Sequence, residues 1–398
     1  MAEYDVVDSP SAYQQAVDAL RSGTGPIGVD AERASGFRYS QRAYLIQMFR
    51  RDAGVFLFDP PALGDLSALQ DAVGSAPWIL HAASQDLACL REVGLNPSTI
   101  FDTELGARLL GFPRVGLATI VEELLGVHLA KEHSAADWST RPLPAPWLTY
   151  AALDVELLVD LMEAEQVLLA DAGKEQIAAQ EFAFALARQP KPPRSEPWRR
   201  LSGVHSIRGL RNLAVARELW TARDELARTR DVAPGRLLPD ASITAVAKAM
   251  PASKRDLAAL REFTGRASRT EIDRWWDAVS RGRTTTDLPV LRATGESIPP
   301  PRVWADRNPE ANERLKAARA AVGELADELR MPTENLLAPD TLRRLAWYPP
   351  DPVDERSIAA AMTEAEARPW QVEATAATVA RAFVEAAQSP ITPSEPGS

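Results

Sequence analysis

This 398-residue sequence predicts an α/β fold class: a mixed sheet flanked by helices, followed by one or two all-helical domains. Three observations point to it. Short runs rich in β-branched residues alternate with helical patterns through the first 188 residues. A proline-rich break follows at residue 189. Beyond that break helical patterning continues with almost no strand signal.

The first decisive element is Pro26-Ile27-Gly28-Val29-Asp30-Ala31-Glu32, where β-branched residues and alternation predict a strand over 27–32. Alternate side chains of a strand share a face, so Asp30 and Glu32 project together. Further strands are expected over 43–50, 55–59 and 78–81, with 27–32 and 43–50 able to pair antiparallel with 55–59. Strand order does not follow from the sequence. Ser84 is placed to cap a helix carrying Asp86, Leu87, Leu90 and Val93, which puts Asp86 near a helix N-terminus. After a proline-rich turn, 147–159 reads as one helix. Residues four apart stack on a helix face, so Tyr150 and Asp154 form one surface.

Taken singly, each motif has a structural reading. Asp-x-Glu can be a solvated strand end, Asp86 a first-turn aspartate favoured by the helix dipole, and Tyr150 with Asp154 a helix pair. Together they define a chemistry. Buried carboxylates repel one another unless a cation neutralises them, and oxygen-only ligands select magnesium or manganese. Two such ions can activate water on one side of a phosphate and stabilise the leaving oxygen on the other. The reaction that fits is phosphodiester hydrolysis.

Asp30-x-Glu32, Asp86 within His81-Ala82-Ala83-Ser84-Gln85-Asp86-Leu87, and Tyr150-x-x-x-Asp154 resemble, in this order, the three motifs of the DEDD exonucleases. Thr149 stands where the histidine branch carries its histidine, so the tyrosine (DEDDy) branch is the match. Tyr44-Leu45-Ile46-Gln47-Met48, Phe101-Asp102-Thr103, Gly126-Val127 and Asp137-Trp138-Ser139-Thr140-Arg141-Pro142-Leu143 narrow the resemblance to the ribonuclease D family, over residues 5–185. The resemblance implies a ribonuclease-H-like architecture and a 3′-5′ exoribonuclease. Its substrates would be structured RNA 3′ ends such as tRNA precursors, and its products nucleoside 5′-monophosphates. It implies catalytic roles for Asp30, Glu32, Asp86, Tyr150 and Asp154 with two divalent ions, Mg2+ or Mn2+. Asp30, Glu32 and Asp154 would hold one ion, Asp30 and the surroundings of Asp86 the other, and Tyr150 would orient the attacking water. A DNA exonuclease of the same architecture would use the same carboxylates, and a silent nucleic-acid-binding scaffold is the rival from another class. The intact carboxylates count against the scaffold, while the net charge of −10 leans toward it.

Composition bounds the remaining classes. With 45% hydrophobic and 25% charged residues the chain can bury two or three cores. No apolar run approaches membrane-spanning length and Met1-Ala2-Glu3-Tyr4-Asp5 lacks a signal-like segment, so a cytoplasmic protein without membrane contact, and a monomer, is expected. The single cysteine, Cys89, excludes internal disulfides and reads as a small core residue. His81, His128, His133 and His205 have no metal-ligand spacing, with His81 read as structural, and no Walker-type loop is present.

The expected divisions are an exonuclease domain over 1–188, a linker over 189–204, helices over 205–285, a linker over 286–309, a second helical unit over 310–388 and a disordered tail over 389–398. The 205–285 segment resembles the helicase-and-RNase-D C-terminal (HRDC) domain, whose family role is accessory nucleic-acid contact. Arg330-Met331-Pro332-Thr333-Glu334-Asn335-Leu336-Leu337-Ala338-Pro339-Asp340 partly repeats Asp231-Val232-Ala233-Pro234-Gly235-Arg236-Leu237-Leu238-Pro239-Asp240, which points to a divergent second copy. Trp275, Trp276 and Trp347 read as core rather than base-stacking platforms. Residues 200–285 carry seventeen Lys and Arg against ten Asp and Glu, a balance of +7 that leaves −17 for the rest. The expected nucleic-acid contacts are Arg208, Arg211, Arg236, Lys254 and Arg255, with the catalytic cleft alone sufficient for short oligonucleotides.

Overall fold

The computed structural model describes residues 4–129, 135–189, 194–263, 265–290 and 298–388. His133, the prolines of the linker over 190–193 and the tail over 389–398 lie outside the described residues.

Six strands form one mixed sheet: β1 (Val6–Val7), β2 (Thr24–Arg33), β3 (Ala43–Arg51), β4 (Gly54–Phe58), β5 (Trp78–Leu80) and β6 (Ile100–Asp102), in the order β1-β4-β3-β2-β5-β6. The meander β2-β3-β4 is antiparallel, while β5 runs parallel to β2 and β6 parallel to β5. This places β2 in the middle of the sheet, its carboxylate-bearing end hydrogen-bonded to β3 in the register Asp30 to Gln47 and Glu32 to Leu45. The two-residue β1 and three-residue β6 carry too little periodicity to be read from sequence.

Helices cover both faces. One apolar core joins Val17 and Leu20 to Ile27, Val29, Trp78, Leu80, Leu158 and Val159. On the other side a smaller cluster gathers Tyr44, Leu45, Leu57, Trp138, Leu148, Ala151 and Ala152, with Phe37, Trp147 and Tyr150 packed against it. Two expectations need correction. Ser84 lies inside a 3-10 turn, Ala83–Gln85, and the following helix is Leu87–Glu92 with Asp86 itself at the N-cap position. The stretch read as one helix over 147–159 is two, Ala145–Glu156 and Leu158–Asp171, sharing Leu157 as the joint.

The remainder is all helical and holds two further cores. One runs from Trp198 to Val279 around Leu213, Leu219, Ile243 and Trp275, and the other from Trp304 to Phe383 around Leu315, Leu342 and Val379. Their ground plans correspond. Leu210–Arg230, a left-handed Asp231, a short Pro234–Leu237 helix and Asp240–Ala249 are matched by Pro309–Glu328, a left-handed Arg330, Thr333–Leu336 and Pro339–Trp347. Trp275 is wholly buried with its Nε1 donating to the Ser268 carbonyl at 3.0 Å, and Trp347 packs 4.8 Å from Trp304, so these indoles are packing elements. Among the described residues no helix is long and apolar enough to cross a membrane.

Candidate active site

Asp30 and Glu32 leave the same face of β2, and Asp154 comes to them from the Ala145–Glu156 helix. What lets helix and strand approach is Gly28. A Cβ there would stand 2.6 Å from the Val155 carbonyl oxygen, so only glycine allows the helix backbone to rest on the strand beside Asp154. The carboxylates of Asp30, Glu32 and Asp154 each offer an oxygen within 4.8 Å of the others. Asp86 joins them through a hydrogen bond to Asp30.

Asp86 is held there by a buried aspartate the sequence reading gave no role. The Asp102 carboxylate accepts from the amides of Ala82 at 3.0 Å and Ala83 at 2.9 Å, and also caps the Thr103–Leu109 helix. Ala82 is left-handed, with φ 63°, a conformation that costs a non-glycine residue about 1–2 kcal/mol and is sustained by those bonds. The signal available in sequence was Asp102-Thr103-Glu104, an N-cap pattern with a local explanation. His81, next to this turn, is half-buried and hydrogen-bonded to Thr103 Oγ1 at 2.9 Å; desolvation lowers its pKa to about 4. Its imidazole is therefore neutral near pH 7. Cys89 is buried, its Sγ donating to the Asp86 carbonyl at 3.1 Å, and burial pushes its thiol up to about 12.

All four carboxylates are shifted upward. Burial, then the charges of Asp30, Asp154 and Asp86, pushes Glu32 up to about 10. Burial and the neighbouring Asp30 raise Asp86 and Asp154 each to about 8, and burial raises Asp30 itself. A cluster whose charged form burial disfavours is what a divalent cation would complete. Two further features fit such an ion. The Gln47 carboxamide, opposite Asp30 in the sheet, is buried with neither its oxygen nor its nitrogen hydrogen-bonded, and the donor set is oxygen throughout. The cation beside the cluster is Arg33, 3.7 Å from Asp86, a residue that sequence reading passed over.

Tyr150 lies one turn before Asp154 and is hydrogen-bonded to it. Burial, then the Asp154 charge, raises the phenol above its ordinary value, so it keeps its proton at neutral pH. Its ring sits 6.4 Å from that of the fully buried Trp138, which in turn meets Trp147 at 5.3 Å. Asp30, Glu32, Asp86, Tyr150 and Asp154 therefore converge on one spot.

The five basic residues expected on nucleic acid do not converge. Arg208 and Arg255 are exposed and without a partner among the described residues. Arg211 donates to the Thr285 carbonyl and Lys254 is ion-paired with Asp273. Arg236 turns toward the sheet domain, donating to the Gly36 carbonyl at 2.8 Å and stacking 4.1 Å above the Phe37 ring.

Comparison with known proteins agrees with this geometry. A family model described as 3′-5′ exonuclease matches residues 4–167, the HRDC domain model matches 212–279, and a model described as 3′ to 5′ exonuclease C-terminal domain matches 297–383. Ribonuclease D of Pseudomonas paraeruginosa is 30% identical over 288 residues, 69% of this chain and 72% of that one. A crystal structure of a protein from Bifidobacterium adolescentis superposes with a TM-score of 0.89 at 38% identity, covering 96% of this chain and 99% of that one. The crystal structure of Escherichia coli RNase D gives a TM-score of 0.67 at 26% identity, covering 87% and 90%. With the motif order, the fold and these relatives in agreement, the chain belongs to the ribonuclease D family of 3′-5′ exonucleases.

Proposed function

We propose that the chain is a 3′-5′ exoribonuclease that releases nucleoside 5′-monophosphates from RNA 3′ ends, with tRNA precursors or other stable structured RNAs as its cytoplasmic substrates. The observation that carries this reading is the convergence of Asp30, Glu32 and Asp154 within 4.8 Å beside a protonated Tyr150. Magnesium or manganese held by Asp30, Glu32, Asp86 and Asp154 would supply the charge that activates water and neutralises the leaving oxygen. Tyr150, protonated and half-buried against Trp138, acts as a hydrogen-bonding group that orients water and not as a base. Arg33, partly exposed at the cleft, offers a phosphate its counter-charge. RNA is favoured over DNA because the relatives are ribonucleases D, the E. coli enzyme being described as an exoribonuclease involved in structured RNA processing. With this goes the division of the chain into an exonuclease domain over 1–188, an HRDC domain over 205–285 and a second, HRDC-like unit over 310–388, supported by a main apolar core within each of the three.

The test is degradation of RNA and DNA of one sequence, labelled at the 3′ or the 5′ end, in Mg2+, in Mn2+ and in EDTA. The expected result is mononucleotide release from the 3′ end of RNA that stops on chelation. Internal cuts in circular RNA, or DNA degraded faster than RNA, would overturn it.

A further inference from the structure

The loop between the two catalytic-side strands, residues 34–42, does not lie free beside the cleft but is docked on the HRDC helices. Asp231, the left-handed residue that ends the Leu210–Arg230 helix, receives the Ser40 amide at 2.8 Å and the Tyr44 hydroxyl at 3.1 Å, with Arg42 at 3.7 Å. Beside it the Ala233 amide donates to the Phe37 carbonyl at 2.9 Å, and Tyr39 donates to Asp224 at 3.0 Å while its ring packs against the HRDC core. Arg236 completes the seam on Gly36 and Phe37.

The same loop is tied on its other side to the ground on which Tyr150 lies. Arg38 donates to Ser139 Oγ at 2.8 Å, and Arg141 joins the Tyr44 carbonyl at 2.7 Å to the Trp138 carbonyl at 2.8 Å and Asp59 at 2.6 Å. Phe37, Tyr44, Trp138 and Tyr150 belong to one apolar cluster, and Tyr44 adjoins Leu45, the cross-strand partner of Glu32. Buried packing of this kind transmits displacement, because an interior has little free volume to absorb it.

We propose that Asp231 is a positioning residue of the exonuclease site: by anchoring the 36–44 segment it fixes the bed of Tyr150, so that HRDC docking sets turnover in the cleft. This rests on the exonuclease reading above. It also changes what the HRDC domain does for a short substrate. Removing the domain bares the loop and slows the chemistry even where no RNA reaches the helices, contrary to the sequence expectation that the cleft alone suffices.

The experiment compares the full chain with Asp231→Gly, which deletes the carboxylate while suiting the left-handed backbone, and Asp231→Asn, which tolerates that backbone and keeps an acceptor for Ser40. Hydrolysis of a 3′-labelled trinucleotide in Mn2+ is followed. We expect Asp231→Gly to lower kcat about tenfold with KM within about twofold, and Asp231→Asn to stay within about threefold of wild type, as for a catalytic group displaced but not removed. Arg236→Ala, on an exposed side chain, is run beside them and should lower kcat about threefold. Hydrogen exchange read by mass spectrometry should quicken in Asp231→Gly both over 36–44 and over 145–156. An unchanged kcat in Asp231→Gly and Arg236→Ala, a loss confined to KM, or faster exchange confined to 36–44 would each overturn the proposal. Wild-type protein that releases no mononucleotide would instead refute the exonuclease reading, and the exchange comparison would still decide the coupling.

Discussion

Replacing Asp30 or Asp154 by Asn alters charge and leaves side-chain volume almost unchanged, so the effect should fall on cation binding and turnover and spare the fold. Asp30→Asn and Asp154→Asn are expected to lower kcat on the order of a thousandfold or more, with circular dichroism and unfolding midpoint close to wild type. Activity near wild type in either variant would dissolve the site. Tyr150→Phe removes only a hydroxyl hydrogen-bonded to Asp154, and should cost about a hundredfold in kcat without loosening Mn2+ binding measured by calorimetry. The raised carboxylates make a further prediction. Burial and the neighbouring carboxylates push Asp86 and Asp154 up to about 8 and Glu32 up to about 10, from ordinary values of 3.8 and 4.5. The folded, metal-free protein then binds more protons than the unfolded chain between those limits, so its stability falls as pH rises from about 4 toward 8–10. Cation binding must release those protons and tighten with pH. Thermal unfolding in EDTA and in Mn2+ across pH 5–9 should show the two midpoints diverging upward; parallel curves would contradict the shifts. Asp30 with Glu32 and Tyr150 with Asp154 were legible in sequence because strand and helix periods bring each pair onto a shared face, whereas Asp86 was picked out only by its resemblance to the second DEDD motif. Arg33 and Asp102 were not, because their meaning lies in partners 53 and 20 positions away.

Among secondary elements the close approach of β2 and the Ala145–Glu156 helix decides whether Asp154 reaches its partners. Gly28→Ala would push a Cβ to 2.6 Å from the Val155 carbonyl, which cannot swing aside as a side-chain tip can. Overpacking of this kind costs about 1–3 kcal/mol, and relief requires the helix to lift off the strand. The expected outcome is a lowered unfolding midpoint together with Mn2+ affinity reduced more than tenfold at a temperature where the variant remains folded. Retained affinity at reduced stability would show that the helix slides without carrying Asp154 away. The same closeness accounts for what the sequence left open. Periodicity located β2, β3 and β4 to within a few residues, since each presents an alternating or fully buried run. It could not show that β2 lies between β3 and β5, nor that the helix expected over 147–159 breaks at Leu157, because both depend on how layers fit together and not on local preference.

For the molecule as a whole, net charge and its partition were readable at once, but the disposition of individual cations was not. The helical segment over 200–285 holds a balance of +7 in a chain of −10. Much of that positive charge is engaged internally, with Arg217 on Glu218, Arg223 on Asp240, Arg228 on Asp224, Arg230 on Glu271 and Arg281 on Glu218. Arg208 and Arg255 remain exposed and unpaired among the described residues, as do Arg261, Arg266 and Arg269. An unpaired surface arginine keeps its full charge available to a phosphate, whereas a paired one must first give up its carboxylate. Binding of long structured RNA should therefore weaken in the double variant Arg208→Gln, Arg255→Gln, and the slope of log K against log salt should become shallower by about 1–2 through loss of two phosphate contacts. Lys254→Gln, which breaks an internal pair with Asp273, should change that slope by less. Filter binding of a tRNA-sized RNA to catalytically silent Asp30→Asn protein across 50–200 mM salt measures both without degradation. Identical slopes for wild type and the double variant would exclude these two arginines from the RNA path and leave the HRDC face to a protein partner, because counterion release follows the phosphates that are neutralised and is indifferent to the fold that neutralises them.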